Sequence, residues 1–298
     1  THGTPQAFVN IIKGCDKFCS YCIVPFTRGR EKSRRLDEIV KDVQRLVEFS
    51  GIQEVTLLGQ NVNSFGKDNG ESLAQLLGEL EKIDGLKLIR YTTSHPRDMD
   101  EALIAAHAEV EALMPYLHLP VQSGSDKILK AMNRQHTAES YLRLIEKVRA
   151  ARPDIAISGD FIVGFPGERD SDFEATLSLI RQVGYASAFT FKYSRRPGTP
   201  ASAMPGQIDE AVKDERLARL NALLEDQQKD FNTLQVGKVL PVLVERLGRH
   251  EGQLAGRSPY LQAVHMDGPA HLIGQIVPVR IDASARMSLS GQIPLETA

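Results

Sequence analysis

The chain has 298 residues, 42% of them hydrophobic and 25% charged, and its 36 Lys and Arg against 38 Asp and Glu leave a formal charge of −2. Those fractions exclude wholesale disorder, and the near-neutral balance leaves no overall field to draw in nucleic acid or membrane, so a nucleic-acid partner must be held by a local patch. No stretch approaches the roughly 18 uninterrupted apolar residues of a membrane span, and the opening residues lack the basic-then-apolar order of a secretory signal, which reads as a soluble, cytoplasmic protein without a membrane partner.

In chain order, the first β-rich run, Ala7–Ile12, predicts a strand, and the loop after it, Gly14 to Cys22, carries all three cysteines: Cys15, Cys19 and Cys22. An odd, clustered set is not a disulfide framework and points to a metal or redox cofactor. Three thiolates in one tight loop can bind three irons of a 4Fe–4S cube and leave the fourth iron open to another ligand. Two other readings stand beside it: a zinc site of three Cys completed by His2 or His118, and three unrelated buried thiols. Directly after the loop comes the densest basic stretch, Arg28, Arg30, Lys32, Arg34 and Arg35, offset by Glu31, Asp37 and Glu38.

From Leu36 the apolar positions repeat at three and four, predicting a helix over Leu36–Ser50 stopped by Gly51. Strands are then expected at Glu54–Leu58, Lys87–Thr93, Tyr116–Val121, Ile155–Val163 and Ala186–Tyr193, with helices over Ser72–Ile83, Glu101–Leu113, Ser140–Ala151 and Phe173–Val183 between them. Six strand–helix units imply right-handed crossovers and a parallel sheet, two short of a closed eight-unit barrel. The fold class is therefore α/β, an open six-unit partial (β/α) barrel with its site at the C-terminal ends of the strands. A long helix follows from Asp209 to about Leu234. Short Gly- and Pro-broken strands (Val239–Glu245, Leu254–Arg257, Gln262–Val264, Ile276–Ile281, Met287–Ser290) then predict a small all-β barrel. Two domains result, 1–235 and 236–298. His95, His118 and Glu168 fall at strand ends and read first as structural groups, so no residue is assigned as a catalytic acid or base.

Cys-x3-Cys-x2-Cys with Tyr21 before the third Cys, at the end of the first strand of a partial barrel, resembles the radical S-adenosylmethionine (SAM) superfamily. The resemblance implies that Cys15, Cys19 and Cys22 hold a 4Fe–4S cluster whose open iron chelates the amino and carboxylate groups of SAM, and that an electron from the cluster cleaves the sulfonium to a 5′-deoxyadenosyl radical. It also implies cofactor-binding roles at successive strand ends. Tyr21 lies in the loop itself, and Gly59, Gln60 and Asn61 close the second strand, where the superfamily meets the SAM amino group. Gln122, Ser123 and Gly124 follow the fourth strand, suited to ribose or carboxylate contact, and Gly164 ends the fifth, beside adenine.

Cys22 to Arg30 followed by Ser33 and Arg34, His118-Leu119-Pro120 running into Gln122 to Ser125, and Ser194 with Arg196 to Thr199 look like the methylthiotransferase branch. Within it, Gly59 to Asn63 and Thr92 to Pro96 look like the MiaB type, which adds a methylthio group to carbon 2 of N6-isopentenyladenosine at position 37 of tRNA. The terminal module resembles a TRAM domain, an RNA-binding barrel. The implied partners are tRNA and a reductant protein such as flavodoxin or ferredoxin. Sister types acting on threonylcarbamoyl-adenosine in tRNA or on a ribosomal protein differ at the second-strand motif and stand second, and a non-catalytic zinc-holding RNA-binding protein stands third. Arg28, Arg30 and Arg34 are the expected RNA contacts at the barrel mouth. From Val236 on, Tyr260 is the single aromatic residue, so stacking on several rings is not expected there. Family members also carry an N-terminal domain with a second 4Fe–4S cluster; only fourteen residues precede Cys15 and the first residue is Thr. The sequence as given is thus expected to cleave SAM without completing thiolation.

Overall fold

The computed structural model describes residues 4–294; His2, one of the two residues considered as a zinc ligand, lies outside them. The six expected strands form as β1 (Gln6–Asn10), β2 (Glu54–Leu58), β3 (Leu88–Tyr91), β4 (Tyr116–His118), β5 (Ala156–Val163) and β6 (Ser187–Lys192). They pair in parallel as β1–β2–β3 and β4–β5–β6, and a single bridge, Ile89 to Leu113, joins the two halves. The helices α1 (Leu36–Ser50), α2 (Leu73–Glu81), α3 (Glu101–Glu109), α4 (Ala138–Ala151) and α5 (Asp170–Val183) pack outside, as crossovers of a parallel sheet must. Their apolar stripes explain it: Leu73, Leu76, Leu77 and Leu80 on α2, and Tyr141, Ile145 and Val148 on α4, are buried at helical spacing in one core with Val55, Leu57, Ile89 and Ile157 of the sheet. Ser72 and Asp100 cap their helices by accepting from the amides of Gln75 and Leu103.

Of the boundaries that differ from expectation, three have a clear local reason. The helix expected to reach Leu113 stops at Glu109, because Ala112, Leu113 and Met114 leave it to bond Ile89: the Ile89 amide donates to the Ala112 carbonyl at 2.8 Å and the Met114 amide to the Ile89 carbonyl at 3.0 Å. Those bonds join the two half-sheets. The third strand ends at Tyr91, since Thr93 takes a positive φ of 65°. The first gives way after Asn10 to a two-residue antiparallel pairing, Ile12–Lys13 with Lys32–Ser33.

After helix α6 (Glu210–Thr233), strands β7 (Val239–Leu247), β8 (Gln253–Arg257), β9 (Ala263–Asp267), β10 (Ile276–Ser284) and β11 (Ser288–Gln292) close a barrel in the order β8–β9–β11–β10–β7. Alternate residues Leu240, Val242 and Val244 fill it with Leu254, Val264, Val279 and Leu289. This barrel sits beneath the N-terminal end of the sheet, with Leu243 and Ile276 against Leu88 and Met114. The buried Arg90 ties the two units: it pairs with Glu54 at 3.2 Å and donates to the carbonyls of Pro259 and Ser258 at 2.7 and 3.0 Å. The opposite end, where the strands' carboxyl ends lie, stays clear. Among the described residues no helix is long and apolar enough to cross a membrane.

Candidate active site

The cysteine loop is pinned from four directions. Gly14 has φ +76°, and a Cβ there would lie 2.0 Å from the Arg30 carbonyl oxygen, so only glycine lets the two backbones approach. Its amide donates to Gln60 Oε1 at 2.7 Å, and the Cys15 amide to the Gly29 carbonyl at 3.2 Å. On the far side, Ser20 donates through its amide to Met132 and through Oγ to the Ala131 carbonyl, while Asn133 Nδ2 holds the Phe18 carbonyl at 2.7 Å. Lys17 reaches the buried Asp98 at 2.8 Å. Asp98 also takes Lys67 at 2.6 Å and Asn61 at 2.8 Å; burial would raise its pKa, but these three bonds hold it down at about 2.

Cys15 and Cys19 are buried, Cys22 is partly exposed, and none is in a disulfide. Burial pushes the Cys15 thiol up to about 11 and raises Cys22 as well, so metal loading must displace protons. Among the described residues no three His, Cys, Asp or Glu side chains converge on a point that would hold a single metal ion. The three thiols share one loop, the disposition a cluster taking one thiolate per iron requires. His118 is engaged elsewhere: its Nε2 meets Asp160 Oδ1 at 2.9 Å and its Nδ1 meets Thr92 Oγ1 at 3.2 Å.

Two orphaned polar atoms lie beside this loop. Asn61 is 2% exposed; its Nδ2 donates to Glu31 and Asp98, yet its Oδ1 has no partner. Arg134 is 5% exposed; one terminal nitrogen approaches Cys19 Sγ at 3.6 Å and the other donates to the Pro120 carbonyl, but its Nε has none. A buried acceptor and a buried donor left open next to three thiols are complementary to an ammonium and a carboxylate, the two charged ends of an amino acid. The residues present therefore fit a 4Fe–4S cluster with an amino-acid-bearing ligand.

A cavity of about 360 Å³ adjoins the loop, lined by Tyr21, Cys22, Gln122, Asp160, Ile162, Phe191 and Arg196 among others. Gln122, at φ 78°, and Asp160 bring amide and carboxylate groups to it, and Ile162 and Phe191 give it apolar walls. Of the expected residues, Tyr21, Gln122 and Cys22 meet here. Asn61 lies at the loop as described, and Gln60 anchors the loop through Gly14. The others are placed differently. Ser123 Oγ is spent on Thr176 and the Ser125 amide, and a Cβ on Gly124 would meet the Ala175 carbonyl oxygen at 2.5 Å, so both seat the loop on α5. A Cβ on Gly59 would lie 2.4 Å from Ile12 Cγ2, and one on Gly164 2.3 Å from Lys213 Cγ, so these glycines admit protein neighbours. Arg30 forks onto Asp16 at 3.1 and 3.2 Å, and Arg34 pairs with Asp42 at 2.6 Å, whereas Arg28 stands exposed.

Glu168 is buried, accepts from the Gly164 amide and pairs with Arg216 at 2.8 Å, a structural clamp on the fifth strand end. His95 Nδ1 accepts from the Arg97 amide, and burial lowers its pKa to about 2, so it is a neutral cap. Arg134, Asp160 and Arg196 are the site residues the sequence did not single out. Asp160 stood within the expected strand Ile155–Val163 and Arg196 within a motif already noted, whereas Arg134 had no signal beyond an Asn-Arg-Gln run, bracketed in the structure by the positive φ of Asn133 and Gln135.

Residues 9–180 match the model of the radical SAM superfamily, and residues 233–293 match that of the TRAM domain. The tRNA-2-methylthio-N(6)-dimethylallyladenosine synthase of Maricaulis maris (strain MCS10) is 61% identical over 296 residues, 97% of this chain and 65% of its own length. The synthase of the same name from Sphingopyxis alaskensis is 56% identical, over 97% of this chain and 66% of its own. The chain thus spans just under two thirds of these relatives. Among solved structures, coproporphyrinogen III oxidase (HemN) from Escherichia coli, a radical SAM enzyme, superposes at TM-score 0.57 with 14% identity over 87% of this chain and 68% of its own. The radical SAM methyltransferase TsrM from Kitasatospora setae superposes at 0.55 with 18% identity, over 66% of this chain and 38% of its own. At such identities these two show the shared fold.

Proposed function

The chain belongs to the radical SAM superfamily, and on that premise we propose that it holds a 4Fe–4S cluster and SAM and serves a tRNA methylthiotransferase acting on N6-isopentenyladenosine beside the anticodon. The observation that carries the cofactor reading is three disulfide-free thiols in one loop, flanked by an orphaned buried acceptor on Asn61 and an orphaned buried donor on Arg134, which approaches Cys19. Bound together, the cluster and SAM supply one-electron cleavage of a sulfonium, and with it hydrogen abstraction from an unactivated carbon.

The chain's residues bind, orient and exclude water. Cys15, Cys19 and Cys22 would hold the cluster, each supplying one thiolate, with one iron left for SAM. Asn61 Oδ1 would accept from the ammonium of the methionine moiety and Arg134 Nε would donate to its carboxylate. Gln122 and Asp160 would serve the ribose, with Thr92 and His118 behind Asp160 fixing its orientation. Ile162 and Phe191 would offer apolar contact to the adenine, and Tyr21 walls the cavity beside Cys22. Ser123, Gly124, Gly59 and Gly164 hold the surrounding backbone, and Gln60 holds the loop. No side chain is assigned to move a proton at the target carbon.

The substrate reading rests on the names of the two relatives and on the TRAM match, with 1–235 as the SAM-cleaving unit and 236–298 as the RNA-binding barrel. The basic segment Arg28, Arg30 and Arg34 faces the RNA, and a flavodoxin- or ferredoxin-like reductant supplies the electron in the cytoplasm. In the full-length relatives the remaining third would carry the second cluster. Mass analysis of tRNA nucleosides from cells with and without the protein tests the substrate. Loss of the protein should remove the 2-methylthio derivative and leave N6-isopentenyladenosine in its place; unchanged methylthiolation, or loss confined to threonylcarbamoyl-adenosine, would contradict it.

A further inference from the structure

A cleft of about 770 Å³ opens beside Gln60, between the short helix Val24–Arg28 and the Ile12–Lys13 and Lys32–Ser33 pairing. Lys13, Arg28, Lys32, Arg34 and Arg35 line it against one carboxylate, Glu38. These cations are not equivalent. Arg34 pairs with Asp42 at 2.6 Å and Arg35 with Asp37 at 2.9 Å. Among the described residues Lys13, Arg28 and Lys32 have no ion pair, and all three are exposed. Asp68 is the carboxylate whose charge Lys32 feels, and it is occupied by the Ser33 amide at 3.0 Å.

Lys13 and Lys32 are also direct partners across the antiparallel pairing. Side chains at such positions share a face a few ångströms apart, and like charges there destabilise the pair. A chain that keeps a repelling pair with no ion-pair partner, the nearby Asp68 being engaged by the Ser33 amide, gives up stability at that spot, which is expected where an outside anion adds the missing charge. Thr27, Ser33 and Asn10 add polar groups to the same walls, as suits discrete phosphate oxygens. One end of the cleft is Gln60, whose Oε1 holds the Gly14 amide, so a strand lying here runs directly to the cysteine loop.

We propose that this cleft holds the phosphodiester backbone of the RNA next to the base presented for reaction, with Lys13 and Lys32 sharing one phosphate and Arg28 taking an adjacent one. This rests on the reading that the chain acts on RNA, and assigns that contact to two lysines outside the arginine set.

The test is binding of an anticodon-arm RNA hairpin to the whole chain, titrated from about 50 to 200 mM salt. The proteins are wild type, the double variant Lys13→Gln/Lys32→Gln, Arg28→Gln, and Arg181→Gln on α5 as a reference, with thermal melts of each without RNA. The double variant should bind roughly 10- to 100-fold more weakly at low salt, with a log–log salt slope shallower by about 1 to 2. Its melting midpoint should stay level or rise by up to about 3 °C, because a repelling pair has gone. Arg28→Gln should weaken binding by a smaller factor and Arg181→Gln should leave it unchanged. Wild-type-like RNA binding by the double variant overturns the inference while the RNA reading stands. So does lost binding with a lowered midpoint, which would assign the lysines to the fold, and so does a defect confined to flavodoxin-supported SAM cleavage, which would make the cleft a protein-docking surface. A wild-type chain that binds no RNA overturns the RNA reading itself, and this inference with it.

Discussion

Replacing any one of Cys15, Cys19 and Cys22 with serine is expected to lower reductive SAM cleavage by more than about 100-fold, with a parallel loss of iron per chain. The loop has no spare ligand: no other cysteine exists in the chain, His118 is committed to Asp160 and Thr92, and His95 offers only a buried, neutral ring whose Nδ1 is occupied. Removing groups that merely orient metal ligands costs 10- to 100-fold in metal affinity or activity, so removing a ligand itself should exceed that range. The fold should survive each change, because the loop is held by Gln60, Asn133, Ser20 and Lys17 rather than by the thiols. Iron content and 5′-deoxyadenosine release, measured on anaerobically reconstituted variants, check this. A variant that keeps both would show that its cysteine is not a ligand.

Arg134→Met is the second large effect. Methionine roughly matches the volume of the arginine stem, so the site stays packed while the cation disappears. Two losses follow. The donor assigned to the SAM carboxylate goes, and a hydrogen bond to a charged group of this kind contributes about 1.5–3 kcal/mol, equivalent to roughly 10- to 150-fold in affinity. The Pro120 carbonyl also loses its donor and Cys19 its neighbouring cation. The KM for SAM should rise by that factor with a smaller change in kcat at saturation, and Arg134→Lys should recover only part, since a single ammonium nitrogen lacks the planar fork that reaches Cys19, the Pro120 carbonyl and the ligand from separate nitrogens. An unchanged KM with lost iron would instead place Arg134 with the cluster alone.

Much of this architecture was legible in the residue pattern. The stretches Leu36–Ser50 and Glu54–Leu58 coincide with α1 and β2 because their apolar periodicity ends at sharp signals, Gly51 and the Gly59 turn. Boundaries were lost where tertiary bonds override periodicity: Ala112 to Met114 read as the end of a helix but serve to bridge the half-sheets. The cysteine loop was legible because its chemistry is local, three thiols within eight residues. Arg134 was not, since an arginine becomes informative only once it is known to be buried and short of a partner. Glycine was the most ambiguous letter. Gly59, Gly124 and Gly164 invite the thought of a ligand pressed against bare backbone, yet each makes room for a neighbouring part of the protein. Lys32 stood in the basic stretch read from the sequence, but its pairing with Lys13 was hidden, because it depends on a register of two residues.

The most direct measurement is electron paramagnetic resonance of the dithionite-reduced chain, reconstituted anaerobically, before and after addition of SAM. About four irons per chain are expected, with a cluster signal whose g-values shift when SAM binds, because one iron would lack a protein ligand. A signal that SAM leaves unaltered, or stoichiometric zinc and no iron, would contradict this.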